Sequence, residues 1–229
     1  MKKHTILFLA ANPLGTSETA LGDEARAIQA ELELAGHRDR FEFVTRWAVQ
    51  PLDLLRELRK LKPTVVHFTG LRNRSTIDTS PAGDAPYHDA LGGRDVETSE
   101  PQQQGLFFRG PDNRPVFVPI AALEETFDAA GKSVQVIVLN ACYSDPQAEA
   151  LAAHVDCVVG MAGSVLDDAA RSFAIGFYGG LGERESIAAA YKQGRAAISL
   201  AGLHEGNRPR LKIRHGVDAN RIILAEDPS

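Results

Sequence analysis

The side chain best suited to covalent chemistry in this chain is the thiol of Cys142. It stands two positions past the end of the apolar run VQVIVLN, and Asp145 and Pro146 follow it with residue types that cap a helix and fill its first turn. A thiol in such a strand-to-helix turn feels the positive end of the helix, which favours thiolate, while the Asp145 carboxylate partly opposes that effect. Thiolate is the nucleophilic form, so Cys142 can attack a carbonyl carbon where an acid–base partner serves it. The same position also suits a small buried residue that closes a strand. The other cysteine, Cys157, opens the next apolar run. Parallel pairing of the two runs separates the cysteines by roughly 15 Å at about 3.3 Å per residue, beyond the disulfide reach of about 7 Å. Two free thiols are expected, and two cysteines cannot build a disulfide framework or a four-cysteine zinc site.

A second stretch, AANPLGTSETALGDE, reads as a strand, a loop and a helix start, an arrangement that suits anions. It contains neither GxGxxG nor GxxxxGK[ST], so a nucleotide-binding α/β domain is the weakest of the readings.

The elements that must position Cys142 are legible in the apolar pattern. Continuous strand-like runs occur at Thr5 to Ala10, Phe41 to Arg46, Thr64 to Thr69, Val134 to Asn140 and Asp156 to Met161. Continuous rather than alternating runs indicate strands buried on both faces. Helical patterns fill the gaps, at Asp23 to Leu34, Pro51 to Leu61, Ile120 to Ala130, Pro146 to His154, Asp167 to Leu181 and Ser186 to Leu200. Strand and helix therefore alternate, which predicts an α/β fold with a mostly parallel central sheet and helices on both faces. Sites in such sheets lie beyond the carboxyl ends of the strands, here at residues 12–17, 70–74 and 141–145. From about 72 to 104 the chain is rich in Pro, Gly, Ser, Thr and Asp, as in a flexible insertion. GLFFRGPDNRPVFVP then reads as a hairpin turning at Gly110 to Asn113. From about 204 a C-terminal extension begins with a basic segment, expected as a solvated loop, and ends in RIILAEDPS, expected as an edge strand.

With 229 residues, 44% of them hydrophobic, the chain fits one domain over 1–229. A net charge of -5 gives no general attraction to nucleic acid or anionic membrane, so neither is expected as a partner. The run in MKKHTILFLAANP stops at Asn12-Pro13, too short for a signal peptide, and no segment approaches the roughly 20 apolar residues of a membrane span. A soluble, cytoplasmic protein is expected.

The stretches ILFLAANP, RFEFVTRWAV, VVHFTG, VIVLNACYSDPQAEALA, VDCVVGM, FAIGFYGGLG and SIAAAYKQGRAAI run from about Thr5 to Leu203, interrupted by the insertion. In these motifs and their order the chain resembles bacterial caspase-like domains of the CHAT family. The resemblance implies a three-layer caspase-like sandwich of the cysteine endopeptidase type, with a Cys/His dyad at the ends of adjacent strands. Such domains serve as proteolytic effectors in bacterial defence and regulated cell death, often coupled to a sensor. Carried over by motif, Cys142 occupies the nucleophile position, and Asn12 with Pro13 shapes one wall of the cleft. Family members read HFSGHG where this chain reads HFTGLR. His67 matches the first histidine, Leu71 stands in place of the second, which is the base, and Arg72 replaces a glycine whose N–H helps bind the oxyanion. In some relatives an acidic residue two positions before the cysteine favours basic P1 side chains. Here that position is Asn140, so a strong preference for Arg or Lys is not implied.

Leucine accepts no proton, and the Cys/His mechanism needs an acceptor that later protonates the leaving amine. Two histidines are substitute candidates. His67 lies before the strand end, and alternation along the strand places it below the site. His88, in PYHDAL beside Asp89, would have to fold back from the insertion, and an exposed loop histidine is its ordinary reading. His154 ends a helix, where a cation is simply favourable, and takes no catalytic role. Ordering of the long loop by a partner is a further route to a complete site. The expectation is therefore a caspase-like domain that is weak or inactive as a peptidase and acts by binding. The alternative is an active endopeptidase using a non-standard histidine or activated by a partner. No cofactor or metal is expected. A protein or peptide serves as substrate or binding partner, with a sensor or activator protein alongside, and the residues leave the oligomeric state open.

Overall fold

A computed structural model describes residues 3–11, 18–70 and 105–225. The apolar runs become β1 (His4–Ala11), β2 (Phe41–Trp47) and β3 (Val65–Gly70). A separate antiparallel hairpin follows as β4 (Gly105–Arg109) and β5 (Pro115–Pro119). The remaining strands are β6 (Val136–Asn140), β7 (Cys157–Met161) and β8 (Pro209–Ile213). The helices are α1 (Glu18–Leu34), α2 (Pro51–Leu61), α3 (Ile120–Ala129), α4 (Asp145–Leu151), α5 (Asp167–Gly182) and α6 (Ile187–Leu200).

Six strands form one sheet in the order β2-β1-β3-β6-β7-β8, parallel throughout except for β8. Helices cover both faces, as the alternation of strand and helix predicts. One face buries Ile6, Phe8, Val65 and Val138 against α1, α5 and α6, with Ile28, Phe173 and Ile198 at the contacts. The other buries Leu7, Leu9, Phe68 and Ile137 against α2, α3, α4 and the hairpin, through Leu54, Phe127, Leu151 and Phe108. The hairpin turns at the expected place: Gly110 N–H donates to Arg114 C=O at 2.7 Å, and Asn113 takes a left-handed φ of 65°. Among the described residues no helix is long and apolar enough to cross a membrane.

Three local expectations need correction. The edge strand of the C-terminal segment is the basic stretch Pro209–Ile213, whereas Ile222, Leu224 and Ala225 of the apolar tail pack into the core. Charged side chains suit an edge: Leu211 packs inward, while Lys212 reaches the carboxylates of Glu149 at 2.8 Å and Asp145 at 3.2 Å. Helix α1 begins at Glu18 rather than Asp23 and runs through Gly22, because the added turn brings Leu21 onto the core. That packing offsets the roughly 0.5–1 kcal/mol that a helical glycine costs. Ahead of α4 the N-cap is Ser144, with Asp145 already in the helix and paired to Lys212, so the Asp145 charge is compensated.

Candidate functional site

Strands β3 and β6 are adjacent and parallel, with Thr69 opposite Asn140, so their carboxyl ends open side by side. Gly70 closes β3 where β1 comes closest; a Cβ there would lie 2.9 Å from the carbonyl oxygen of Ala11. Cys142 follows β6 in a tight turn whose Tyr143 adopts a φ of 58°, a conformation that costs a non-glycine residue of order 1–3 kcal/mol. The turn is held by Tyr143 N–H donating to Gly163 C=O at 2.9 Å and by the Ser144 hydroxyl. That hydroxyl donates to Leu139 C=O and accepts from Met161 N–H, both at 2.9 Å.

The Cys142 side chain is 8% exposed. Its sulfur accepts from Val165 N–H at 3.2 Å, and its S–H has Val165 C=O at 3.5 Å and the Ser164 hydroxyl at 3.9 Å. No histidine nitrogen lies within hydrogen-bond distance of the sulfur among the described residues. The sequence carries no local mark of the Val165 N–H…S contact, since Val165 lies a helix and a strand further along the chain.

Beside the thiol lies a cleft of about 40 Å³, room for a few waters or a small polar head group. Glu24, Thr69, Asn140, Cys142 and Asp167 are among its lining residues. Asn140 lines this cleft from the end of β6. Leu71, Arg72, His88 and Asn12 lie outside the described residues, and so does the loop weighed as a phosphate cradle.

His67 is fully buried. Its Nε2 is 2.9 Å from Glu24 Oε1, its Nδ1 is 3.0 Å from the Tyr178 hydroxyl, and its ring stacks on Phe8 at 5.0 Å. Alternation is not what removes it from Cys142, because His67 and Thr69 share the face on which Cys142 packs. Depth and saturation remove it: it pairs with Val138, two residues below the strand end, and both ring nitrogens are engaged. Asn140 Nδ2 also donates to Glu24 Oε1, closing a buried network of α1, β3, β6 and α5. Neither Glu24 nor Tyr178 was singled out by sequence reasoning. A glutamate at a buried position of α1, amid an otherwise small and apolar face, was the available signal.

The two thiols are free and both buried. Burial, with the neighbouring Asp156 adding to it, pushes the Cys157 thiol up to about 12. Cys157 is therefore an inert core residue. His154 faces Asp128 at 3.4 Å and Glu124 at 3.8 Å, among carboxylates of α3.

Comparison with known proteins found no matching family model and no matching curated protein.

Proposed function

We propose that the chain is a cytoplasmic caspase-like domain of the CHAT family, related to cysteine endopeptidases of bacterial defence or regulated cell death. It keeps the nucleophile position at Cys142, lacks a serving base, and acts by binding a protein or peptide, with cleavage weak or absent. The sequence motifs support the family, and the parallel sheet with Cys142 at its carboxyl end is the architecture they imply. One observation carries the inactive reading. His67, the histidine that β3 supplies, has both nitrogens engaged inside the core, and the next position of the motif that should hold a base is Leu71. Without an acceptor the leaving amine gains no proton, and peptide cleavage falls by the factor general acid–base catalysis contributes, on the order of 10²–10⁴.

The Val165 N–H on the sulfur favours the alternative to one extent: a nucleophile survives for a base brought by a partner or by residues from 71 onward. A fluorogenic peptide library with Cys142→Ala as control separates the two. No Cys142-dependent turnover is expected, and its detection sinks the inactive reading. Restoring the motif with Leu71→His and Arg72→Gly is expected to raise cleavage. A folded double variant that gains none would show that the cleft itself no longer accepts substrate.

A further inference from the structure

The six-stranded sheet ends in two edges, β2 and β8, and they differ in how each would meet another strand. An edge strand presents a row of N–H and C=O groups without a neighbour, and proteins blunt such a row with proline, lysine or a bulge. Strand β8, PRLKI, is blunted in this way by Pro209 and Lys212. Strand β2, FEFVTRW, carries no proline, glycine or lysine and ends on Trp47, which is 48% exposed.

The neighbour of β2 fixes which of its backbone groups face outward. Ala10 C=O accepts from Val49 N–H at 3.2 Å and Thr5 C=O accepts from Thr64 N–H at 2.9 Å, so even positions of β1 face β2 and odd ones face β3. With Phe8 opposite Thr45 and Ala10 opposite Trp47, the residues of β2 that bond to β1 are Glu42, Val44 and Arg46. Phe43, Thr45 and Trp47 turn their N–H and C=O groups away from the sheet, and these groups meet no other backbone group among the described residues. One of them is covered by a side chain: Thr45 C=O accepts from Arg46 Nη1 at 2.9 Å. Arg46 Nη2 meets Glu57 of α2 at 2.8 Å, while Glu42 is exposed and its carboxylate accepts from the Thr5 hydroxyl at 3.4 Å.

Antiparallel pairing opposes residues of the same parity, so a strand that pairs with its own copy carries the two-fold axis on one residue. With the axis at Val44, Phe43 exchanges hydrogen bonds with Thr45 of the second copy, and Trp47 N–H reaches the copy's Phe41 C=O. Glu42 then comes opposite Arg46 of the copy at a non-hydrogen-bonded pair, where side chains approach most closely, and the symmetry repeats that ion pair across the axis. Axes at Phe43 or Thr45 obey the same parity but set Glu42 opposite Val44 or Ala48, and Arg46 opposite Arg40 or Val44, with no opposite charges facing. On β8, Arg214 N–H donates to Asp156 C=O at 2.9 Å, so Arg210 and Lys212 bond inward and self-pairing about Leu211 sets these like charges against each other.

We propose that β2 pairs antiparallel with β2 of a second copy of this chain about a two-fold axis at Val44, joining the two sheets into one. Glu42 and Arg46 set the register. On pairing, Thr45 C=O takes the incoming N–H of Phe43, and Arg46 Nη1 turns from it to Glu42 of the copy while Nη2 stays on Glu57. An extended strand of a different protein could use the same backbone groups, but a second copy brings the matching charges at the required spacing. This interface does not depend on the function proposed above.

Sedimentation equilibrium of the full chain, with amide exchange read by NMR at the same concentrations, tests the proposal. The mass is expected to rise with concentration from the 24.7 kDa of one chain towards that of a dimer. The amides of Phe43, Thr45 and Trp47 should gain protection in step, whereas those of Val44 and Arg46 are held by β1 throughout. A chain that stays monomeric at about 1 mM, the weak end of specific association, overturns the proposal and leaves the edge to a strand of another protein. A dimer that protects β8 or another surface instead also overturns it. Glu42→Arg or Arg46→Glu alone sets like charges opposite each other at both pairs, and each is expected to weaken dimerisation at least about tenfold. An equimolar mixture of the two variants restores opposite charges at both pairs and is expected to associate where neither does alone. Unchanged dimerisation of Glu42→Arg, or a mixture of folded variants that stays monomeric, overturns the proposal. Arg46→Glu also breaks the Glu57 contact; if it does not fold, Glu42→Arg at its exposed position and the amide protection of the unsubstituted chain decide the matter.

Discussion

His67 shows how a reactive residue becomes a structural one. An imidazole inside a sheet is costly unless both nitrogens are paired, and here a carboxylate takes one and a hydroxyl the other, with Phe8 stacked against the ring at 17°. The partners come from α1 and α5, so the ring ties two helices to β3. Tyr178→Phe removes the hydroxyl and leaves Nδ1 unpaired in the core. A loss of about 1–3 kcal/mol is expected, read as a lower urea midpoint at unchanged slope. A midpoint within error of the unsubstituted protein would mean that Nδ1 finds water or another donor. Of this network only His67 and Asn140 were visible in advance, because each sits in a strand-end motif. Glu24 lies in a helix whose sequence marks no partner, and the His67–Tyr178 contact spans 111 positions.

At the scale of elements, the Cys142 turn is set by what it is tied to rather than by its own residues. Ser144 joins Leu139 at the end of β6 to Met161 at the end of β7, so one hydroxyl fixes the gap into which the thiol points. Close packing of α4 on β7 holds the other side: a Cβ at Gly160 would lie 2.7 Å from both Ala148 Cβ and Ser144 O. Ser144→Ala leaves the Met161 N–H without its partner. A destabilisation of about 1–3 kcal/mol is expected, together with faster iodoacetamide labelling of Cys142 as the turn loosens. Unchanged labelling would show that the Gly163 and Val165 contacts suffice to hold the sulfur. Helix boundaries near this turn were readable within a few residues, since Pro146 and the apolar period act locally. That Ser144 rather than Asp145 caps the helix was not, because Lys212 of β8 draws the Asp145 carboxylate to itself.

For the molecule as a whole, the alkaline limb of stability carries the signature of its core. The Cys157 thiol, ordinarily near 9.0, is pushed up to about 12 chiefly by burial, so between those values the folded chain holds a proton that the unfolded chain releases. Stability therefore falls as pH rises through that window, by about 1.4 kcal/mol per unit for one such proton. Tyr178, held well above its usual range by burial and by Glu24, acts in the same direction at higher pH. Lys212 does so too: its hydrogen bond to Glu149 raises it, and the stability it contributes is lost as pH rises through its folded value. Urea midpoints from pH 8 to 11 should decline steeply, and Cys157→Ala should flatten the slope above pH 9; an unchanged slope would place the titrating group elsewhere. What the sequence by itself determined is the layered order of the fold and the placing of Cys142 at a strand mouth next to a leucine-bearing motif. Continuous apolar runs, helical periods and turn residues are local properties, so they can be read along the chain. Only the tertiary structure decided which polar residues meet beneath the cysteine, and that the basic segment rather than the apolar tail completes the sheet. Those outcomes depend on pairing between residues far apart in sequence and on backbone hydrogen bonding at an edge, and neither leaves a trace in any single stretch.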